Sequence, residues 1–396
     1  MGALDSLKNS LLELAGITIS GKDKNEFTLI VDGTELRVES ARLLRTMDTA
    51  ADGFTAVRNF DPFDEKISKL FIPYQYLPSQ VYLGGLLGLN GILYSVSPEV
   101  STDGRRIELE GWTPTADIVD CNINVATWDQ YPAAKYERNN VTLGQRATEL
   151  LEPLGLDVVD ESGDSEPFDR VTAEPTDTIL DHLVGMAGQR GILVSCTNQG
   201  ELLFTKANTT GKPIGTIEEE DPPYLDMSIK FDGRARFSTY RAIGQSPQTS
   251  PKGTPYTIWK TGTAEDYAVT RSRFTAFNAD NANMGNVEKA AKWRKNKTLA
   301  DALTIPFPVS GWYAPDGFLY EPNRLITVKS PTLFIPDGFD FLIRAVEYSF
   351  EPEGTRSTLY LVPPNVYTDR DLVEPWAAAK AEFLTEGLLE KLQSEL

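Results

Sequence analysis

The first twenty residues place Leu4, Leu7, Leu11 and Leu14 at spacings of three and four, so the chain opens on an amphipathic helix. From Glu26 the period shortens. The segments "FTLIVDG", "ELRVESARLLRTMD", "FTAVRNF", "SKLFIPYQ", "SQVYLGG", "GILYSVSPEV" and "RRIELEGW" follow one another between Gly, Pro and Asp turns and end near Trp112. Strands at such close spacing predict a sandwich or barrel with many edges. Residues 140–206 read differently. "TLGQRATELLEPLGL" has helical spacing, "DVVD" and "FDRVTA" are short strands, and a second helix starts after Thr176, its expected N-cap. Ile179, Leu180, Leu183, Val184 and Ala187 share one face of that helix, which puts His182 on the opposite, wet face with Asp181 and Gln189. "GILVSC", "TNQGE" and "LLFTK" read as strand, turn and returning strand.

Gly211–Tyr224 has the Pro, Gly and charge content of a linker. A second β-rich region runs to "TRSTLYLVPPNVY", interrupted by the helix "NVEKAAKWRKNKTLADAL". From Pro375 the period is helical again, with Ala377, Ala381, Leu384, Leu388 and Leu392 in one stripe joined by Phe383 and Leu389. Burying five such groups is worth on the order of 10 kcal/mol gross, so the stripe needs a cover. Trp376, Phe383, Leu384, Leu388 and Leu392, with Leu7 and Leu11 of the first helix, are therefore the candidate partner-binding residues. The pattern predicts a mixed α+β, β-rich chain: two β regions flanking a small α+β module, with an amphipathic helix at each end. The expected units are 1–20, 21–120, 121–210, 211–365 and 366–396.

Composition narrows the function. No run of about 18 apolar residues exists to span a membrane, and "MGALDSLKNS" lacks a signal-peptide pattern. It does match a myristoylation pattern, which a helix cap at Asp5 or Ser6 explains equally well. Cys121 and Cys196 lie far apart in sequence, which suits a reduced compartment, and with one histidine they form no zinc spacing. A net charge of −19 argues against tight nucleic-acid binding, which needs clustered Lys and Arg. The best cluster, Lys289–Lys297, is one basic helix face and reads as solvated.

Catalytic patterns are missing. There is no phosphate-loop, zinc-protease or nucleophile-elbow motif. "GGLLGLNG" sits between strands and reads as a turn, and "DNANMGNVE" has Ala282 and Met284 where a calcium loop needs oxygen ligands. A triad would depend on His182, which has no evident partner and is expected to accept Gln or Lys. No catalytic, cofactor or metal residue is expected.

Three stretches in order resemble the baseplate hub proteins of contractile-tailed bacteriophages, the phage Mu type in particular. They are "GRRIELEGWTPTADIVDCNI", "VTAEPTDTILDHLVGMAGQRGILVSCTNQGELLFTKA" with its "A-x-Q-R-G" and "G-x-L-x-F" patterns, and "IPFPVSGWYAPDGFLYEPNRLITVKSPTLFIPDGFDFLIRAVEYSF". With the strands between them the resemblance covers residues 25 to 365, and both terminal helices fall outside it. It implies a structural, non-enzymatic protein with no cofactor, located in the virion's tail baseplate and assembled in the host cytoplasm. Each subunit would hold two tail-tube-like β-barrels flanking the module. A homotrimer would then match the six-fold tail tube on one side and the three-fold central spike on the other. Other baseplate proteins would be neighbours, DNA would pass without specific binding, and there would be no membrane anchor. The alternatives are the hub portion of a secretion-type spike and a tail-associated cell-wall hydrolase. The first needs a long β-spike after the hub, and the second needs placed carboxylates for which the assigned segments leave no room.

Overall fold

The computed structural model describes residues 23–376, apart from 103, 124–136, 175, 221–225, 250–254, 280–283, 369 and 371–373. The two terminal helices expected from sequence, with Leu7, Leu11, Phe383, Leu384, Leu388 and Leu392, lie outside the described residues.

The first β region contains β1 (Phe27–Val31), β2 (Thr34–Leu36), β3 (Ser40–Thr46), β4 (Gly53–Asn59), helix α1 (Glu65–Leu70), β5 (Pro78–Leu83), β6 (Leu86–Ser101) and β7 (Gly104–Trp112). Its turns follow local chemistry. Val31 pairs with Thr34 across Asp32–Gly33, both at positive φ, as a two-residue hairpin loop requires. Gly84–Gly85 closes the β5–β6 hairpin in the same way, so the glycine-rich stretch is a turn running into a strand. One expectation fails here: "SKLFIPYQ" is not a strand. Asp64 caps α1 by accepting from the amides of Lys66 and Ile67, and this local cap outweighs the β-like run of apolar residues.

The module follows: α2 (Asp117–Asp120), β8 (Glu137–Val141), α3 (Leu143–Leu151), β9 (Val158–Asp160), β10 (Phe168–Thr172), α4 (Ile179–Gly188), β11 (Leu193–Cys196) and β12 (Leu202–Thr205). Thr142 and Gln145 form a capping box at the start of α3. The second β region holds β13 (Thr216–Glu218), β14 (Lys230–Phe231), β15 (Thr239–Thr249), β16 (Pro255–Glu265), β17 (Phe274–Ala279), α5 (Met284–Ala302), β18 (Leu303–Thr304), β19 (Pro306–Ser310), β20 (Leu325–Ser330), β21 (Ile335–Glu351) and β22 (Gly354–Val362). The expected linker is thus part strand: β13 pairs in parallel with β20.

Among the described residues no separate closed barrel appears in either β region. Strands from both join one 12-stranded sheet in the order β13-β20-β21-β3-β4-β7-β6-β5-β1-β2, with β22 also on β21 and β19 on β22. Among the described residues the ladder does not close on itself. The cause is β21, whose 17 residues outrun any single neighbour. On one edge, Phe339–Leu342 pair with β20 and Ala345–Phe350 pair with β3, while the other edge runs along β22. The change of partner falls at the register shift between Ile343 and Ala345, where the Arg344 carbonyl takes the amide of Met47. One apolar core consequently runs from Phe27 to Tyr367 and spans both regions. The module has its own core around Leu143, Leu151, Leu183 and Phe204. A smaller sheet, β16-β15-β17, packs on α5 through Ala242, Val287 and Ala291.

Candidate functional site: buried joints and exposed surfaces

Helix α4 turns a different face inward from the one its sequence suggests. Thr178, not Thr176, is the N-cap, accepting from the amide of Asp181 at 3.0 Å. The buried residues are Ile179, His182, Leu183, Met186 and Ala187, while Val184 is exposed. His182 is only 8% exposed. Its Nε2 accepts from Nε of Arg146 at 3.2 Å, and Arg146 is itself fully buried. Arg146 also pairs with Glu149 at 3.2 Å, and Arg138 donates to the same carboxylate at 2.9 Å. Burial works against the Glu149 charge, yet the two arginines hold its pKa below the usual carboxylate range. Burial, reinforced by Arg146, pulls His182 down to about 4. A neutral imidazole occupied by an arginine donor is a poor base at neutral pH, so this chain of charges serves the module's core.

A second polar cluster joins module to sheet. Asp52, 2% exposed, accepts from the Thr46 amide at 2.8 Å and pairs with Nε of Arg45 at 3.4 Å. Its own amide donates to Oγ1 of Thr113 at 3.2 Å. From the module, Oγ of Ser195 donates to the Thr46 carbonyl at 2.9 Å, and Sγ of Cys196 lies 3.8 Å from Oγ1 of Thr113. The amide of Asn90 donates to the Asn198 carbonyl at 2.8 Å, adding a third tie. Burial lifts Asp52 to about 6 against the pull of Arg45, and it pushes the Cys196 thiol up to about 12. A perturbed carboxyl and a thiol side by side can mark a catalytic pair. Here both are buried, the thiol stays protonated, and their bonds are spent on the joint. Among the described residues no group of three or more His, Cys, Asp or Glu side chains could hold a metal. None of the described helices is long and apolar enough to cross a membrane.

The motifs behind the family resemblance have structural roles. In "EGW" a side chain at Gly111 would overlap the Phe54 ring, while the Trp112 ring lies over Gly53. In "GW" further on, Trp312 is fully buried and donates Nε1–H to the Ser349 carbonyl at 3.2 Å. In "A-x-Q-R-G", Arg190 stacks on Phe168 at 3.8 Å and pairs with Asp164 at 2.5 Å. Asn323 of "PN" adopts a left-handed φ of 63° and reaches the module's exit strand through the Lys206 carbonyl at 3.0 Å.

The exposed features lie elsewhere. Between β4 and β5, Phe63, Ile72, Tyr74 and Tyr76 face solvent, with Tyr74 83% exposed. Phe63 meets Arg105 at 5.6 Å, and Arg105 pairs with exposed Val100 near the β6–β7 turn. Sequence reading missed this surface because it assigned the segment to a strand. Of the expected partner-binding residues only Trp376 is described. It packs edge-on against Phe231 at 4.9 Å, at the margin of the main core.

The described residues form a strand-rich scaffold whose buried polar groups are spent on joints between its parts. Residues 115–206 match the family of the baseplate hub protein gp44-like second domain, and residues 284–370 match the fourth domain of the Mu phage baseplate assembly protein GpP. Both matches are to baseplate proteins of the kind that the sequence resemblance named. Baseplate hub protein gp44 of Escherichia phage Mu is 29% identical over 292 residues, which is 71% of this chain and 73% of the phage protein. The 43 kDa tail protein of prophage MuSo2 from Shewanella oneidensis has the same fold, with a TM-score of 0.72 at 22% identity over 86% of this chain and 99% of that one. A tail protein from Neisseria meningitidis superposes with a TM-score of 0.71 at 19% identity, over 87% and 98% of the two chains. These relatives are a baseplate hub protein and two tail proteins.

Proposed function

We propose that this chain is the structural baseplate hub of a Mu-like contractile tail. The observation that carries the reading is the similarity to the phage Mu hub protein over 71% of the chain. The fusion of both β regions through β21 supports it, because a hub needs its tube-facing parts held rigidly to one another. Residues 21–120 and 211–365 are then the two tube-like units and 121–210 the module between them. Three subunits close a ring whose six units meet the tail tube, while its three-fold axis meets the central spike. The exposed aromatic surface around Phe63, Tyr74 and Tyr76 offers an apolar face to a neighbouring baseplate protein.

The charge has a role in this reading. Three chains at −19 each give the ring a formal −57. Acidic groups facing the channel would repel DNA phosphates and keep the passing strand from sticking. Negative-stain electron microscopy of the purified chain tests the assembly. The expected class averages are three-fold rings with six lobes and a central hole. Compact single particles, with and without the spike protein present, would sink the proposal.

A further inference from the structure

We propose that an arginine-lined cavity between the 3-10 turn Gly233–Ala235 and the loop Ala268–Arg273 binds a phosphate group. The cavity is about 740 Å³, the size of a small-ligand pocket, and its lining includes Arg234, Arg236, Arg271 and Arg273. Topology brings the four together. Strands β15 and β17 run in parallel and start side by side, Thr239 opposite Phe274, and an Arg-x-Arg sequence lies just ahead of each. The loop is pinned where it enters β17: Oγ of Ser238 donates to the Arg273 carbonyl at 2.8 Å and accepts from the Arg273 amide at 2.9 Å. In a chain of net charge −19 this cluster of guanidinium groups is a local reversal of sign.

The chain's own carboxylates neutralise one side of the cavity and leave the other unmatched. Arg234 forks onto Asp232, its Nε lying 3.0 Å from each carboxylate oxygen. Arg236 pairs with Asp266 at 2.8 Å and with Glu374 at 2.7 Å. Neither Arg271 nor Arg273 has an ion pair among the described residues. Arg273 is nevertheless held in place: Nη1 and Nη2 donate to the carbonyls of Gly233 and Arg234 at 2.9 and 2.7 Å, and the guanidinium lies 4.9 Å from the Phe237 ring centroid. Those two bonds leave three of its five N–H donors unspent. Arg271 is exposed, and the loop adds neutral donors around it. The amides and hydroxyls of Thr270 and Ser272, both lining residues, make no hydrogen bond among the described residues. Two unmatched guanidinium charges with hydroxyl and amide donors beside them suit a compact dianion that has several acceptor oxygens, which is the chemistry of a phosphate group. A carboxylate carries one charge on two oxygens and would leave one arginine unmatched. A phosphodiester also carries one charge per phosphate, so the ligand is inorganic phosphate or a phosphomonoester, which present the same dianionic group.

Calorimetric titration of the purified full-length chain with inorganic phosphate tests the site. The titration is run at about pH 7.5, where phosphate is mostly dianionic, with ionic strength held at about 0.15 M by chloride. One phosphate per chain should bind, and Arg271→Gln should weaken it about tenfold by removing a charged hydrogen bond. Arg271 is exposed, so the thermal midpoint of that variant without phosphate should equal the wild-type value, which is the folding control. Ser272→Ala leaves the charge unchanged and should still weaken binding severalfold, which general attraction to a basic surface would not explain. Adenosine 5′-monophosphate identifies the source: tighter binding than phosphate assigns the cavity to a phosphomonoester, and equal or weaker binding assigns it to the free ion. No binding beyond a chloride control would overturn the proposal, as would equal phosphate affinity in wild type and Arg271→Gln. So would a short single-stranded oligonucleotide without a terminal phosphate that binds more tightly than either probe and depends on Arg271, because the cavity would then belong to nucleic acid.

Discussion

His182 shows how a single buried contact can set the phase of a helix. Two apolar faces fit the sequence of α4 almost equally well, differing by a small rotation. What selects between them is Arg146, 36 residues away, which needs an acceptor inside the module. The pattern of apolar residues could not show that, so the expectation that His182 accepts Lys is replaced by a sharper one. His182→Gln should be nearly neutral, since an amide oxygen can accept from Arg146. His182→Lys should cost on the order of 3 kcal/mol, because it buries a second cation beside the first. Denaturant midpoints would separate the two. The pH dependence follows from the same contact. The folded pKa is about 4 against 6.5 for the free side chain, so between those values the unfolded chain binds more protons. The histidine's contribution, about 3 kcal/mol, is complete above pH 6.5 and lost as pH falls to 4. Asp52 acts in the opposite sense: its pKa rises from 3.8 to about 6, so the folded state gains stability as pH falls through that window. Asp52→Asn should therefore make acid destabilisation steeper, and His182→Gln should flatten it. Equal slopes of stability against pH in wild type and both variants would contradict the two assignments.

At the scale of elements, several turns and one cap can be read from local chemistry, although the cap of α4 falls on Thr178 and not on the expected Thr176. The Thr142 capping box, the Asp32–Gly33 turn and the Gly84–Gly85 turn can all be read from a few adjacent residues. The α1 segment was misread because its apolar run looked like a strand, while the deciding residue, Asp64, lies just ahead of it. The two turns also differ in a way that only tertiary structure reveals. A methyl group on Gly33 meets nothing within 4 Å, whereas one on Gly84 would come within 2.6 Å of the Lys24 carbonyl oxygen. Both glycines have positive φ, so each pays the left-handed penalty when replaced. Gly33→Ala should cost about 1 kcal/mol. Gly84→Ala should cost at least about 2 kcal/mol, because the backbone of residue 24 must also move. Comparable midpoints for the two variants in urea would show that the contact at Gly84 relaxes freely.

At the scale of the whole molecule, two β regions and a module could be read from the order of the segments, but the merging of the regions could not. Strand β21 pairs with β3 across some 300 residues of chain, Ala345 lying opposite Thr46, and no local period encodes such a partner. That pairing makes a definite prediction about cooperativity. Tyr348 is 1% exposed, donates its hydroxyl to the Tyr320 carbonyl, and sits opposite Leu43 in the seam between the two regions. Tyr348→Ala removes a buried ring and should cost about 3–5 kcal/mol. If the regions were separate barrels, the loss would appear as faster hydrogen exchange in β19–β22 alone. Because they share one sheet and one core, amides of β3, β4 and β7 should lose protection together with those of β21 and β22. The module, with its own core, should respond less, its protection changing mainly near Ser195 and Asn198, where it is tied to the sheet. Selective loss in the second region would mean that the seam is weaker than its register suggests, and that the two β regions of the chain fold as independent units.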